Sequence, residues 1–277
     1  MDLRCRFCDT ELRHTFVDLG DSPCANAYVR PEDIWKMEPF YSLHAFVCEK
    51  CFLVQLPTIE AAETIFSEYA YFSSFSATLL EHSRRYVEQM IGRFGFNPGH
   101  QVIEIASNDG YLLQYFRQQG IPVLGIEPAA NIAEVATAAG IPSLVKFFGM
   151  KAARELNAVG MRADLLIGNN VLAHVPDLND FVGGLKTVLK ENGIITMEFP
   201  HLMPLIEHYL FDTIYHEHFS YFSFYTVEKI FAHHGLVLFD VEEIAPQGGS
   251  LRIYARHDSD ASRPVEPRVN ALREREI

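Results

Sequence analysis

Residues 101–110 read Gln101-Val102-Ile103-Glu104-Ile105-Ala106-Ser107-Asn108-Asp109-Gly110. A short, mostly apolar run passes directly into small and polar residues, the pattern of a buried strand that ends in a tight turn. The pattern recurs downstream. Strands are predicted over Val102–Ala106, Pro122–Ile126, Ser143–Val145, Ala163–Gly168 and Gly193–Phe199, and helices over 110–119, 130–139, 149–158 and 178–190. Strands alternating with helices predict an α/β protein with a parallel, Rossmann-like sheet covered on both faces. Such sheets bind ligands at the carboxyl ends of their strands, near the point where strand order reverses.

The strand tips therefore carry the functional reading. Ala106 and Gly110 are small enough to let a ligand approach the backbone, and Gly110 opens the next helix. This is not the phosphate-binding G-x-G-x-x-G, because alanine stands at the first glycine and the spacing differs. Glu104 and Asp109 place acid where a pyrophosphate needs amide donors. A ligand bearing positive charge or hydroxyls suits them better. Glu127-Pro128 ends the second strand, and a carboxylate there can accept both hydroxyls of a ribose.

Upstream, helices are predicted over 61–70 and 76–95, joined by Tyr69-Ala70-Tyr71-Phe72-Ser73-Ser74 and closed by Asn97-Pro98-Gly99. All five cysteines lie in the first 51 residues. Cys5-x-x-Cys8 and Cys48-x-x-Cys51 are matched pairs whose two-residue spacers aim both sulfurs at one point. Two such knuckles form a closed thiolate cage, the usual structural zinc site. Cys24 has no pair and is expected to be a small buried residue.

The net charge of −13 opposes an electropositive groove for nucleic acid. No apolar run approaches the roughly 20 residues of a membrane span. The first residues, MDLRCRFCDT, lack the apolar centre of a secretory signal. The expectation is a cytoplasmic protein with reduced cysteines, binding neither nucleic acid nor membrane. Nothing here sets an oligomeric state.

Residues 215–223, Tyr-His-Glu-His-Phe-Ser-Tyr-Phe-Ser, gather proton-transfer groups among aromatic residues. They suit acid–base chemistry, with a satisfied buried network as the alternative. Metal binding is disfavoured, because neighbouring side chains on an extended segment point to opposite faces. Gly248-Gly249-Ser250 reads as a turn before a strand at Leu251–Ala255, or as a loop that contacts substrate. Beyond His257 the polar tail reads as linker or disorder.

Together these motifs resemble class I S-adenosylmethionine-dependent methyltransferases. E-I-A-S-N-D-G and G-I-E-P resemble the family's first two motifs. The strand exit Asn169-Asn170-Val171-Leu172-Ala173-His174 resembles a third. The cysteine module, Tyr215–Ser223 and Gly248–Arg252 narrow the resemblance to C-methyltransferases acting on nucleotide-linked keto-deoxysugars. The resemblance implies S-adenosyl-L-methionine held by Glu104, Ala106, Ser107, Asn108, Gly110, Glu127, Pro128, Asn169 and Asn170, with Zn(2+) on Cys5, Cys8, Cys48 and Cys51. It implies His218 as the base that removes a proton alpha to the ketone and Tyr215 as partner of the carbonyl oxygen. Glu217 would orient His218 or hold a sugar hydroxyl; His174 would face the same cleft and Tyr71 would cover it. The residues alone do not rank His216, His218 and His174, and methylation of oxygen or nitrogen, or an inactive binding protein, fits the same pattern. The boundaries drawn are a zinc module 1–58, a helical connector 59–98, a methyltransferase domain 99–257, and a linker 258–277 or the start of the C-terminal domain usual in that family.

Overall fold

The computed structural model describes residues 3–58 and 71–277, and the helix predicted over 61–70 lies outside them. Near the amino end, strands β1 (His14–Ser22), β2 (Tyr41–Val47) and β3 (Val54–Gln55) form an antiparallel ladder. Helix α1 (Ala77–Phe94) follows. The Ser76 side chain accepts from the Leu79 amide at its start, and Gly95, at φ 70°, ends it. Its buried stripe, Tyr86, Val87 and Met90, packs on the main sheet.

The alternation read from the sequence then appears: β4 (Val102–Ile105), α2 (Leu113–Gln118), β5 (Val123–Glu127), α3 (Ala130–Ala138), β6 (Ser143–Val145), α4 (Met150–Ala158), β7 (Ala163–Asn169), α5 (Leu178–Val188) and β8 (Leu189–Pro200). Helix α6 (Leu202–Glu207), strand β9 (Ser220–Tyr221), helix α7 (Phe224–His233), strands β10 (Leu236–Ile244) and β11 (Ser250–His257), and helix α8 (Pro267–Glu276) complete the chain. The main sheet runs β10-β11-β8-β7-β4-β5-β6. Strands β4 to β8 are parallel, while β11 is antiparallel to both β8 and β10. Strand order reverses between β4 and β7, so the expected binding crevice lies above these two strands.

The structure differs from the sequence reading in several places. Strand β10 was not expected; together with β11 it forms the hairpin that ends the sheet. The tail is not disordered: α8 buries Val269 and Leu272. The Glu276 carboxylate accepts from the Phe224 and Tyr225 amides, capping α7, and meets His201 Nε2 at 2.6 Å. The helix is also tied by Arg273 to Glu228 and by Arg268 to Asp240. A helix with so little apolar surface is held mainly by charged partners distant in sequence, which periodicity does not reveal. Cys24 is half-buried, not core. Finally, Tyr215–His218 is a turn, closed by the His218 amide on the Tyr215 carbonyl (2.9 Å), and not an extended segment.

Gly110 has a structural reason that the sequence reading did not give. Its φ is +79°, and an added Cβ would lie 2.8 Å from Ile141 Cγ1. Gly110→Ala is therefore expected to destabilise the fold by about 1–3 kcal/mol through crowding and backbone strain. The urea midpoint measures this, and a midpoint equal to the parent's would refute it.

Candidate active site

Above the carboxyl ends of the parallel strands lies a cavity of about 1340 Å³. Small-molecule sites usually occupy about 300–1,000 Å³, so there is room for a cofactor and a second ligand. Of the residues proposed from sequence to hold the cofactor, Ala106, Asn108, Glu127, Pro128, Asn169 and Asn170 line it. Ala106, Asn108 and Asn170 adopt left-handed backbone with φ of 54°, 49° and 54°. Such strain in non-glycine residues concentrates at sites the surrounding structure must enforce. The side-chain oxygen of Asn169 is buried without a hydrogen-bond partner, an acceptor suited to a ligand donor.

Glu104, Ser107 and Gly110 do not line the cavity. Glu104 is fully buried, and burial, then the nearby Glu127 and Asp109, push its pKa well up, so it is held as a neutral acid. Ser107 turns toward Gly125, where an added Cβ would lie 2.4 Å from its Oγ. Asp109 also turns away from the cavity, and its carboxylate accepts from the Ser74 amide (3.1 Å). Asn108 accepts from the Ser73 amide (2.9 Å) and donates to the Tyr71 carbonyl (3.1 Å). The acid–amide pair after β4 thus pins the connector over the site, which brings Tyr71 to the cavity wall. Glu127 accepts from the Asn108 and Ala129 amides at 3.0 and 2.9 Å. Each of its oxygens keeps a second lone pair for a hydroxyl.

The 215–218 turn explains how its polar residues divide. First and fourth residues of a turn lie side by side, so Tyr215 and His218 both reach the cavity. His218 Nδ1 donates to the Thr213 carbonyl (3.0 Å), which leaves Nε2 as the acceptor, and the Tyr215 hydroxyl donates to it at 3.0 Å. His174 also lines the cavity, its ring centroid 4.8 Å from that of His218. Its Nδ1 donates to the backbone carbonyl of Glu217 (2.9 Å). The central residues of the turn face the cysteine module: His216 Nε2 donates to the Tyr41 carbonyl, and the Glu217 carboxylate accepts from Asn26 Nδ2 (2.6 Å). The expectation that the Glu217 carboxylate orients His218 is therefore corrected, because the Thr213 carbonyl does so. Burial lowers the pKa of His174 from 6.5 to about 4, and burial followed by repulsion from His174 lowers His218 to about 3. Both imidazoles are neutral at pH 7.

The four paired cysteines converge, with all sulfurs within 4.8 Å of one another and Cys5–Cys51 and Cys8–Cys48 at 3.5 Å. Sulfurs around a tetrahedral zinc, with bonds of about 2.3 Å, stand about 3.8 Å apart, so the set fits this metal. The two knuckles are built alike. The Asp9 amide donates to the Cys5 carbonyl and the Phe52 amide to the Cys48 carbonyl, with Asp9 and Phe52 at φ 58° and 64°.

Other lining residues were not found from sequence. Asn26 and Tyr28 come from the cysteine module, Ser76 from the cap of α1, Ala77 to Leu79, His82 and Arg85 from α1 itself, and Gln247, at φ 57°, from the loop before β11. Only folding brings these together. Lys146, Phe147 and Phe148 also line the cavity. They follow β6, so the strand-tip rule alone pointed to them. Arg252 of G-G-S-L-R is structural: its buried guanidinium binds Glu198, which also meets His82 Nε2 at 2.8 Å.

A parallel sheet with an antiparallel terminal hairpin, a carboxylate at the second strand tip and a crevice at the order switch define the class I methyltransferase fold, joined here to a four-cysteine module. Residues 79–241 match the family model of a methyltransferase domain, and residues 5–66 match that of a zinc binding domain. The chain belongs to the methyltransferase-domain family. It is 33% identical over 265 residues to the C-methyltransferase NovU of Streptomyces niveus, covering 96% of this chain and 63% of that protein. The chain thus spans somewhat under two thirds of that relative's length. The fold is similar to the PH0226 protein of Pyrococcus horikoshii OT3, with TM-score 0.55, 14% identity, 72% of this chain and 99% of that one. It is also similar to a magnesium protoporphyrin IX methyltransferase from Synechocystis PCC 6803 with bound SAH, with TM-score 0.50, 13% identity, 64% of this chain and 82% of that one.

The depressed histidines predict a pH effect on stability. Their folded pKa values lie below the unfolded value of 6.5. Between 6.5 and about 4 the unfolded chain binds protons that the folded chain refuses, so stability falls as pH falls through that window. Urea midpoints taken from pH 7 to 4.5 are expected to drop, with a shallower slope in His174→Gln. An unchanged slope in that variant would count against the burial argument.

Proposed function

We propose that this protein transfers a methyl group from S-adenosyl-L-methionine to the carbon beside a ketone of a nucleotide-linked deoxysugar, through an enolate, and that its cysteine module holds a structural zinc. One observation carries the reading: the 215–218 turn places the Tyr215 hydroxyl against His218 Nε2 on the wall shared with the strand-tip residues. The name of the similar NovU protein, a C-methyltransferase, supports transfer to carbon. The cavity volume supports a bulky second ligand.

When bound, the cofactor supplies an electrophilic methyl on a sulfonium. Glu127 has lone pairs for the ribose hydroxyls, and Asn169 and Asn170 flank the same wall. The acceptor needs a carbon nucleophile, which arises when the proton alpha to its carbonyl is removed. His218 is neutral and its tautomer is fixed by Thr213, so Nε2 is the basic nitrogen. The Tyr215 hydroxyl moves from Nε2 to the carbonyl oxygen of the acceptor and stabilises the oxyanion as it forms. That donation offsets the low proton affinity of His218. His174 lies beside His218 and lines the same cavity, and Tyr71 covers the cavity from the connector. Cys5, Cys8, Cys48 and Cys51 would hold the zinc with four thiolates, which would fill its coordination and give it a structural rather than a chemical part.

His218→Asn is expected to lose about 10²–10⁴ in rate while S-adenosylhomocysteine binds as in the parent. It should also abolish deuterium exchange at the alpha carbon of the acceptor in the absence of cofactor. Methylation or exchange at parental speed would exclude this base. In the parent, kcat/KM is expected to hold its value well below pH 6.5, because the resting imidazole stays unprotonated there. An acid limb centred at 6.5 would contradict it.

A further inference from the structure

Arg6 stands between the cysteines of the first pair, yet its side chain reaches away from them. The guanidinium donates to the carbonyl oxygens of Pro176 (2.9 Å) and Leu56. It lies 5.5 Å from the centroid of the Phe219 ring. Its own amide donates to Gln55 Oε1 (3.0 Å), and Gln55 Nε2 donates to Cys5 Sγ (3.3 Å). Pro176 closes the loop that carries His174, and Phe219 directly follows His218. These segments are also joined to one another: the Phe219 amide donates to the Ala173 carbonyl (2.8 Å), and the Leu56 amide to the Phe219 carbonyl (3.1 Å). One side chain therefore bridges the cysteine module and both loops that carry the cavity histidines.

We propose that Arg6 is a positioning residue, which fixes the spacing of His174 and His218 by clamping their two loops to the first cysteine knuckle. A planar fork is needed for this. Arginine presents parallel donors to two carbonyls and a flat face to an aromatic ring at once, whereas lysine offers a single point charge. The cavity reaction tolerates little displacement, since a shift of about 1 Å in a reacting group can cost about 10²-fold. The proposal deepens the assignment of His218 as base and rests on it for its kinetic consequence, but its structural readout does not need that assignment.

The experiment uses the metal-loaded protein with isotopically labelled histidine. The imidazole resonances of His174 and His218 are assigned through His174→Gln and His218→Asn. In Arg6→Lys both resonances are expected to move, while those of the exposed His14 and of His100 stay in place and zinc content and S-adenosylhomocysteine affinity match the parent. With a nucleotide-linked keto-sugar as acceptor, kcat is expected to fall by about 10²-fold with KM little changed. Unmoved His174 and His218 resonances in a zinc-loaded Arg6→Lys protein overturn the proposal. If Arg6→Lys sheds its metal, Phe219→Leu decides instead. That variant leaves the knuckle intact, removes the ring beneath the guanidinium, and must move His174 on the neighbouring loop. A stationary His174 resonance there overturns the proposal as well. If the resonances move but no keto-sugar is turned over even by the parent, the clamp stands and the choice of acceptor fails.

Discussion

A two-residue strand joins the parts of this protein. Ser220–Tyr221 pairs antiparallel with Val54–Gln55, so the segment that carries Tyr215 and His218 is hydrogen-bonded into the sheet of the cysteine module. Around this short ladder, the Thr226 hydroxyl donates to the Cys51 carbonyl and Asn179 donates to the Phe7 carbonyl. Backbone pairing is directional, and burial makes it costly to leave unmade. The cysteine module therefore has no freedom to pack elsewhere, and the turn at 215–218 cannot swing without breaking it.

The same constraint sorts the side chains of the turn. Its outer residues face the cavity and its central pair faces the module, so one four-residue stretch lines the cavity on one side and attaches the module on the other. Burial then sets the electrostatics. Removed from water, Glu104 is held as a neutral acid and the two cavity histidines as neutral bases. Glu198 goes the other way: burial opposes its charge, but His82 and Arg252 hold its pKa below the usual value. Whether a buried acid keeps its proton in this protein depends on whether a cation was folded in beside it.

At the far end of the chain, α8 is fastened by charge rather than by apolar surface. Asp240 is fully buried between Arg93 and Arg268, and Glu276 completes the cap of α7 immediately after the aromatic segment. These pairs join a buried carboxylate to partly exposed guanidiniums, and breaking one would leave the carboxylate short of a partner, so they select one docking geometry.

The sequence by itself determined the parallel strands and the pairing of the four converging cysteines, because both depend on local pattern. Alternating periodicity marks strands and helices, and a two-residue spacer between cysteines aims their sulfurs regardless of what lies around them. It also placed Glu127, Asn169 and Asn170 at strand tips, since that position follows from where a strand stops. Tertiary structure alone decided that Asp109 serves the connector and not a ligand, that a backbone carbonyl and not Glu217 orients His218, and that Asn26 and Tyr28 belong to the cavity. Each of these depends on which distant segment is adjacent, and a hydrogen bond between residues 26 and 217 leaves no periodic trace in the chain.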